Sequence, residues 1–146
     1  MSFTEDLING VAEYLASNPS ANPQVYFDAT GQYPENQWGI FALSAPIKRN
    51  QRSLVIAPFS PEAPYSSSDD VVSIQLDYYG PALEVVRVMD DAFDRLQAVW
   101  AVTMGGIKVQ SIGRTSSARL GFDEAGNYRY TQNYDLAVYR PSSHRQ

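Results

Sequence analysis

Residues 71–96 read VVSIQLDYYGPALEVVRVMDDAFDRL and contain the two clearest secondary-structure signals in the chain. Apolar and polar residues alternate from Val72 to Tyr79, which is the period of a strand with one buried face. Gly80-Pro81 then interrupts the strand, and a proline suits the first turn of a helix. We expect this helix to run from Ala82 to Trp100, with an apolar face made of Leu83, Val86, Met89, Phe93, Leu96 and Trp100.

The N-terminal segment predicts a second helix, from Thr4 to about Ser17, because its apolar residues recur at spacings of three and four. Ser2 and Glu5 have the spacing of a capping box, which supplies hydrogen-bond partners to the first exposed amides of a helix. Asn18-Pro19 ends the segment, since proline disfavours helix at the residue before it.

The remaining segments predict strands separated by polar loops. The strand candidates are Gln24–Phe27, Gly39–Leu43, Ser53–Ala57, Ile107–Ile112 and Tyr128–Tyr139. The connections include a long loop over Pro58–Asp70, a polar loop over Gly113–Ala118 that carries Arg114, and a hairpin turn at Asp123–Asn127. This order predicts an α+β fold, a mostly antiparallel or mixed β-sheet with two main α-helices packed on one face. We expect one domain over residues 1–146, with a flexible tail at 141–146.

The composition argues against most enzyme classes. The chain has 146 residues and no cysteine, which excludes disulfides, thiolate metal sites and cysteine nucleophiles. Its one histidine, His144, is the third residue from the end, where a catalytic base would lack a fixed partner. Asp90, Asp91 and Asp94 could suggest a metal site, but Arg87 and Arg95 lie close enough in sequence to pair with them, which favours a solvated helix face.

Charge is unevenly distributed along the chain. The net charge of −5 argues against general nucleic-acid binding. Residues 1–80 hold three basic and nine acidic side chains, whereas residues 81–146 hold eight basic and seven acidic ones. Such asymmetry suits a protein that contacts different partners, or copies of itself, on opposite sides, although small domains can show it by chance. The acidic N-terminus and the absence of a long apolar run predict a soluble, cytoplasmic product.

Ten tyrosines and two tryptophans form the other distinctive feature of the composition. Tyr78-Tyr79 and the final strand should place aromatic side chains on both faces of the sheet. Aromatic, partly polar surfaces are common where subunits meet, and coverage of both faces by helices is the alternative. The sequence therefore favours a protein interface.

Four motifs, taken in order, resemble a known group of proteins. They are V-V-x-I-Q-L-x-x-x-G from Val71 to Gly80, D-x-F-D-x-L ending at Leu96, G-x-D-E-x-G-x-Y from Gly121 to Tyr128, and V-x-R-P from Val138 to Pro141. In this order and spacing they resemble the minor capsid or tail-terminator proteins of long-tailed bacteriophages. The similarity covers roughly the last two thirds of the chain.

The resemblance implies a non-enzymatic structural protein of the virion without cofactors or metals. Such a subunit assembles in the host cytoplasm as a ring, usually of six copies, at the head-proximal end of the tail. The implied partners are other copies of the chain, the tail tube protein and the head–tail connector protein, with no membrane; DNA would pass through the ring without specific binding. We expect the partner contacts at Tyr65, Asp69, Asp70, Tyr79, Arg114 and Arg119.

Two alternatives remain open at this point. The first is a head–tail connector or head-completion protein, which would bind the portal side instead of the tube. The second, from a different class, is a small-ligand-binding or metal-binding α+β domain that uses the carboxylates of the second helix.

Overall fold

The computed structural model describes residues 2–59 and 70–139, and within these ranges the chain forms two helices and seven strands. In chain order the elements are α1 (Phe3–Ala16), β1 (Val25–Phe27), β2 (Trp38–Ala42), β3 (Ser53–Pro58), β4 (Asp70–Gly80), α2 (Ala82–Gln97), β5 (Val102–Met104), β6 (Ile107–Phe122) and β7 (Tyr128–Tyr139).

All seven strands belong to one mixed sheet in the order β1-β2-β3-β4-β7-β6-β5. The β1–β2 and β2–β3 pairs are parallel, and the remaining pairs are antiparallel. The sheet curls into a half-barrel, and both helices pack against it. The predicted α+β class, with a mixed sheet and two packed helices, is therefore confirmed.

The N-terminal helix begins and ends almost where the sequence predicts. The Ser2 hydroxyl accepts a hydrogen bond from the Glu5 amide at 3.1 Å, and the Glu5 carboxylate accepts one from the Ser2 amide at 3.1 Å, so the capping box is confirmed. Gly10 lies on the buried side of α1, where a Cβ would come within 2.4 Å of the Gly105 nitrogen. The glycine thus permits the turn between β5 and β6 to approach the helix closely.

The second helix exists, and Met89, Phe93 and Leu96 of its predicted apolar face do pack against the core, but its predicted end and the rest of that face are wrong. The helix ends at Gln97, so Trp100 lies beyond it and is 79% exposed. Leu83 and Val86 are also exposed. The residues that α2 buries are Val85, Val88, Met89, Ala92 and Leu96. The sequence carries two neighbouring apolar stripes that share Met89 and Leu96, and the sheet covers the one whose smaller side chains allow close packing.

The polar loop predicted at Gly113–Ala118 is wrong, because these residues continue β6 without a break. The small polar residues of this segment are typical of a loop, so the sequence does not indicate a strand there. The pairing of β6 with β7 shifts register at three places, and Gln110, Thr115 and Leu120 have no direct partner in β7. Each such β-bulge inserts one residue and so reverses the alternation of faces that a period of two requires. The bulges also increase local twist, which fits the curl of the sheet.

Two further connections complete the fold. Gly105-Gly106 forms the turn between β5 and β6, and β5 is a strand that the sequence analysis missed. Most of the predicted loop Pro58–Asp70 lies outside the described residues: Pro58 ends β3, and Asp70 begins β4. The predicted tail at 141–146 and His144 also lie outside the described residues.

Candidate interaction surfaces

Arg114 lies in β6 opposite Tyr134 of β7, on the side of the sheet that carries the helices. Its guanidinium carbon is 4.1 Å from the centre of the Phe93 ring of α2, which is the geometry of a cation–π contact. The Arg114 side chain therefore connects the exposed half of β6 to the second helix. The residue remains exposed and its charge faces solvent.

Arg119 lies farther along the same strand, opposite Tyr130, and it is also exposed. The eight residues 113–120 are all exposed, so apart from the contact between Arg114 and Phe93 the described residues leave this half of β6 largely uncovered. The structure therefore brings both predicted arginines onto one exposed strand, five residues apart and separated by a bulge at Thr115.

Tyr79 is the predicted contact residue that the structure separates from the arginines. It follows the buried Tyr78 in β4, so it projects from the opposite face of the sheet. Its hydroxyl donates to Asp77 Oδ2 at 3.0 Å, and the Arg129 guanidinium lies 5.1 Å from its ring centre. Burial and the neighbouring Asp77 charge raise the pKa of Tyr79 to about 12, so the phenol stays neutral.

Tyr65 and Asp69 lie outside the described residues. The backbone of Asp70 is described as the first residue of β4, paired with Val138 of β7. The predicted contact set therefore divides into an arginine pair on the helix side of β6 and a tyrosine on the other face of the sheet.

The face of the sheet opposite the helices carries a row of polar pairs between β4 and β7. Ser73 donates to Asp135 at 2.6 Å, and Gln75 donates to Asn133 at 3.1 Å. The row ends in the ion pair between Asp77 and Arg129, with Arg129 Nη2 at 2.8 Å from Asp77 Oδ2. Directly opposed and diagonal polar pairs stabilise an antiparallel sheet, so the polar side chains of this face contribute to strand pairing while the other face forms the core.

A buried polar trio lies on the helix side of the same strands. The hydroxyls of Tyr78 and Tyr134 both donate to Gln132 Oε1, at 2.7 and 2.9 Å. Gln132 is fully buried, and its Nε2 has no hydrogen-bond partner among the described residues. Burial raises the pKa of both tyrosines. Both tyrosines are therefore neutral donors, and the bond from Tyr78 to Gln132 links β4 to β7 inside the core.

The aspartates of α2 do not gather into a metal site in the described part of the chain, where no group of three metal-ligating side chains is found. Asp91 accepts a hydrogen bond from the Asn22 amide at 2.9 Å. Arg95, predicted to pair with these aspartates, instead donates to Tyr14 O and Ser17 Oγ of the α1 end and stacks on the Tyr14 ring.

Among the described residues, no helix is long and apolar enough to cross a membrane.

Exposed apolar side chains form a feature that the sequence analysis missed. Phe122, at the end of β6, is 70% exposed and packs edge-on against Tyr128, with ring centres 5.4 Å apart. Leu120, at the adjacent bulge, is also exposed. The missed signal is the Leu120-Gly121-Phe122 run directly before a tight turn.

The fold and these surfaces define a single-sheet α+β protein whose polar, aromatic and charged groups lie on open faces and edges of the sheet. A scan against known protein-family models finds no match, and no curated protein matches the chain either. The argument about function therefore rests on the residues and their arrangement.

Proposed function

We propose that the protein is a non-enzymatic structural component of a tailed-phage virion: a tail terminator that forms a ring, caps the tail tube and presents a docking surface to the head. The observation that carries the proposal is the position of the resembling motifs in the fold. The first motif, Val71 to Gly80, lies in β4. This strand leads directly into α2, which carries the second motif. The third is the turn between β6 and β7, and β7 pairs with β4 along eleven residues.

This arrangement makes the motifs one physical unit. Since strand pairing and helix packing depend on each other in such a unit, the order and spacing of the motifs have a common structural cause. A chance resemblance would not require that the first motif lie in a central strand that leads directly into the helix of the second and pairs with β7, which follows the third.

The surfaces support assembly over catalysis. Charged side chains on β6, apolar side chains at its end and a polar open face are features of contact surfaces. The tyrosines with raised pKa are neutral and hydrogen-bonded, so they offer no base near neutral pH.

The experiment is electron microscopy of particles made without the protein. A terminator predicts overlong tail tubes, because nothing stops their polymerisation. A head–tail connector, the second candidate, predicts normal tails beside unjoined, DNA-filled heads. Particles of normal tail length with heads attached would contradict both roles.

A further inference from the structure

The sheet has two edges, and most of one of them is left without a partner by the described residues. β5 pairs only with β6 residues 107–109, and the last bond on that side joins the Ala101 amide to Gln110 O at 3.0 Å. From Ser111 to Phe122, the outward amides and carbonyls of β6 meet no described strand. We call this stretch the basic edge. Unpaired strand edges are templates for the addition of another chain.

Bulges and two arginines are the only usual protections against such addition that the basic edge carries. It contains neither lysine nor proline, and seven of its twelve residues are small: Ser111, Gly113, Thr115, Ser116, Ser117, Ala118 and Gly121. Small side chains leave the backbone accessible. Bulges at Thr115 and Leu120 twist the strand, which disfavours a flat pairing of two identical copies of it.

Charge also excludes self-pairing of this edge and points to an acidic partner. Residues 107–122 hold three basic side chains and no acidic one, so two copies of β6 would repel each other. The interaction of two charges in contact is stronger where water is partly excluded, as it is between paired strands. Arg114 and Arg119 are both exposed and available for such pairs.

The segment around the opposite edge of the sheet carries acidic charge, of which Asp28 lies apart from basic side chains and Glu35 lines a cavity with Lys48, Arg49 and Arg52. β1 is its outermost strand, and residues 18–40 around it hold two acidic side chains, Asp28 and Glu35, and no basic one. Both acidic residues are exposed, and Tyr26 of β1 is 46% exposed. We call β1 with Asp28 and Glu35 the acidic edge. It therefore offers a short strand, two carboxylates and one aromatic ring.

We propose that the basic edge of one copy joins the acidic edge of the next, so that neighbouring copies associate head to tail through their sheets. This inference rests on the proposed function. A contact between two different patches is heterologous, and it closes into a ring when the rotation per copy divides a full turn. Because β1 has only three residues, the backbone ladder is short, and Arg114 and Arg119 supply the remaining attraction to Asp28 and Glu35.

Charge reversal tests the joint directly. One variant carries Arg114→Glu with Arg119→Glu, and a second carries Asp28→Lys with Glu35→Lys. Each variant alone presents two edges of like charge and should stay monomeric under conditions where the wild type assembles, in solution or on tail tubes. An equimolar mixture should assemble again, because each reversed edge then finds its complement in the other variant.

Uncharged variants distinguish the effect of charge reversal from the effect of losing local contacts within one copy. Arg114 contacts Phe93, and Asp28 Oδ1 accepts hydrogen bonds from the amide and hydroxyl of Thr30, both at 2.9 Å. Arg114→Met and Asp28→Asn change these local contacts without reversing charge, and their assembly should be reduced far less than that of the reversed pairs. Circular dichroism of every variant establishes that the fold is retained.

Cross-linking between introduced cysteines locates the contact. Because the chain contains no cysteine of its own, only the introduced thiols react. One population carries Ser116→Cys and the other Tyr26→Cys, and a short bis-maleimide is added to their mixture. We expect dimers that contain one copy of each variant. Dimers of Ser116→Cys alone, or full assembly by the reversed variants taken singly, would overturn the proposed joint while leaving a ring-forming role intact. A wild type that assembles neither alone nor on tubes would instead overturn the proposed function.

Discussion

The guanidinium group of Arg114 stacks on the ring of Phe93 at 4.1 Å and ties β6 to α2. The contact joins two residues that are 21 positions apart in sequence and lies where the rest of β6 is uncovered. It therefore holds the inner end of an exposed strand in place, while Arg119 farther along has no such anchor among the contacts described.

The two arginines should accordingly differ in their effect on stability. Arg114→Met should lower the free energy of unfolding by about 0.5–1 kcal/mol, the usual size of an exposed cation–π contact. Arg119→Met should leave it within about 0.5 kcal/mol of the wild type. Urea unfolding followed by circular dichroism measures both. Equal losses for the two variants would show that the Phe93 contact contributes nothing specific.

Glu84 should make part of the stability depend on pH. Its carboxylate accepts hydrogen bonds from Arg52 Nε at 2.8 Å and from Trp38 Nε1 at 2.9 Å. These bonds, that of Arg52 above all, lower the pKa of Glu84 below its ordinary value of 4.5. The stabilisation is therefore complete above pH 4.5 and is lost as the pH falls through the lower, folded-state value.

The matching variant is Glu84→Gln, which keeps an oxygen acceptor for Trp38 but removes the charge facing Arg52. At pH 7 the free energy of unfolding of this variant should be about 1 kcal/mol lower than that of the wild type. The difference should shrink as the pH is lowered below 4.5. A difference that stays constant from pH 7 to pH 3 would be inconsistent with this role of the charge.

The buried trio predicts strongly non-additive substitutions. Gln132→Leu leaves the hydroxyls of Tyr78 and Tyr134 without their acceptor and should cost about 2–4 kcal/mol, since each unsatisfied buried hydroxyl costs about 1–3 kcal/mol. Adding Tyr78→Phe and Tyr134→Phe removes those hydroxyls, so the triple variant should recover most of the loss. Thermal or urea unfolding of the series measures this, and a triple variant less stable than Gln132→Leu would refute the hydrogen-bond account.

Gly10 and Gly113 form a matched pair for testing the approach of α1 to the β5–β6 turn. A Cβ on Gly10 would lie 2.4 Å from backbone atoms of Met104 and Gly105, whereas one on Gly113 would meet nothing within 4 Å. Gly10→Ala should therefore destabilise the protein by about 1–3 kcal/mol or more. Gly113→Ala should be neutral or slightly stabilising. Similar midpoints of urea unfolding for the two variants would contradict the close contact.

The sequence predicts those elements whose signals are local. Ser2 and Glu5 mark the start of α1, and Gly80-Pro81 separates β4 from α2, because capping and helix initiation involve only near neighbours. The continuous strand β6 is not predictable in this way. Its bulges interrupt the alternation of faces, and its pairing depends on β7, which follows it in sequence.

The candidate surfaces are predictable only in part, for a related reason. Residue type identifies Arg114 and Arg119 as charges in a polar segment, but their common strand and the stacking on Phe93 depend on tertiary packing. The buried face of α2 shows the same limit. Two apolar stripes compete in its sequence, and only the packing against the sheet selects Val85 and Ala92 over Leu83 and Val86.

The most direct test of the structural role is the mass of the purified protein by light scattering, alone and with purified tail tubes, combined with micrographs of the tubes. The proposal predicts a discrete ring, or binding at one end of each tube only. A monomer that ignores tube ends would contradict the terminator role.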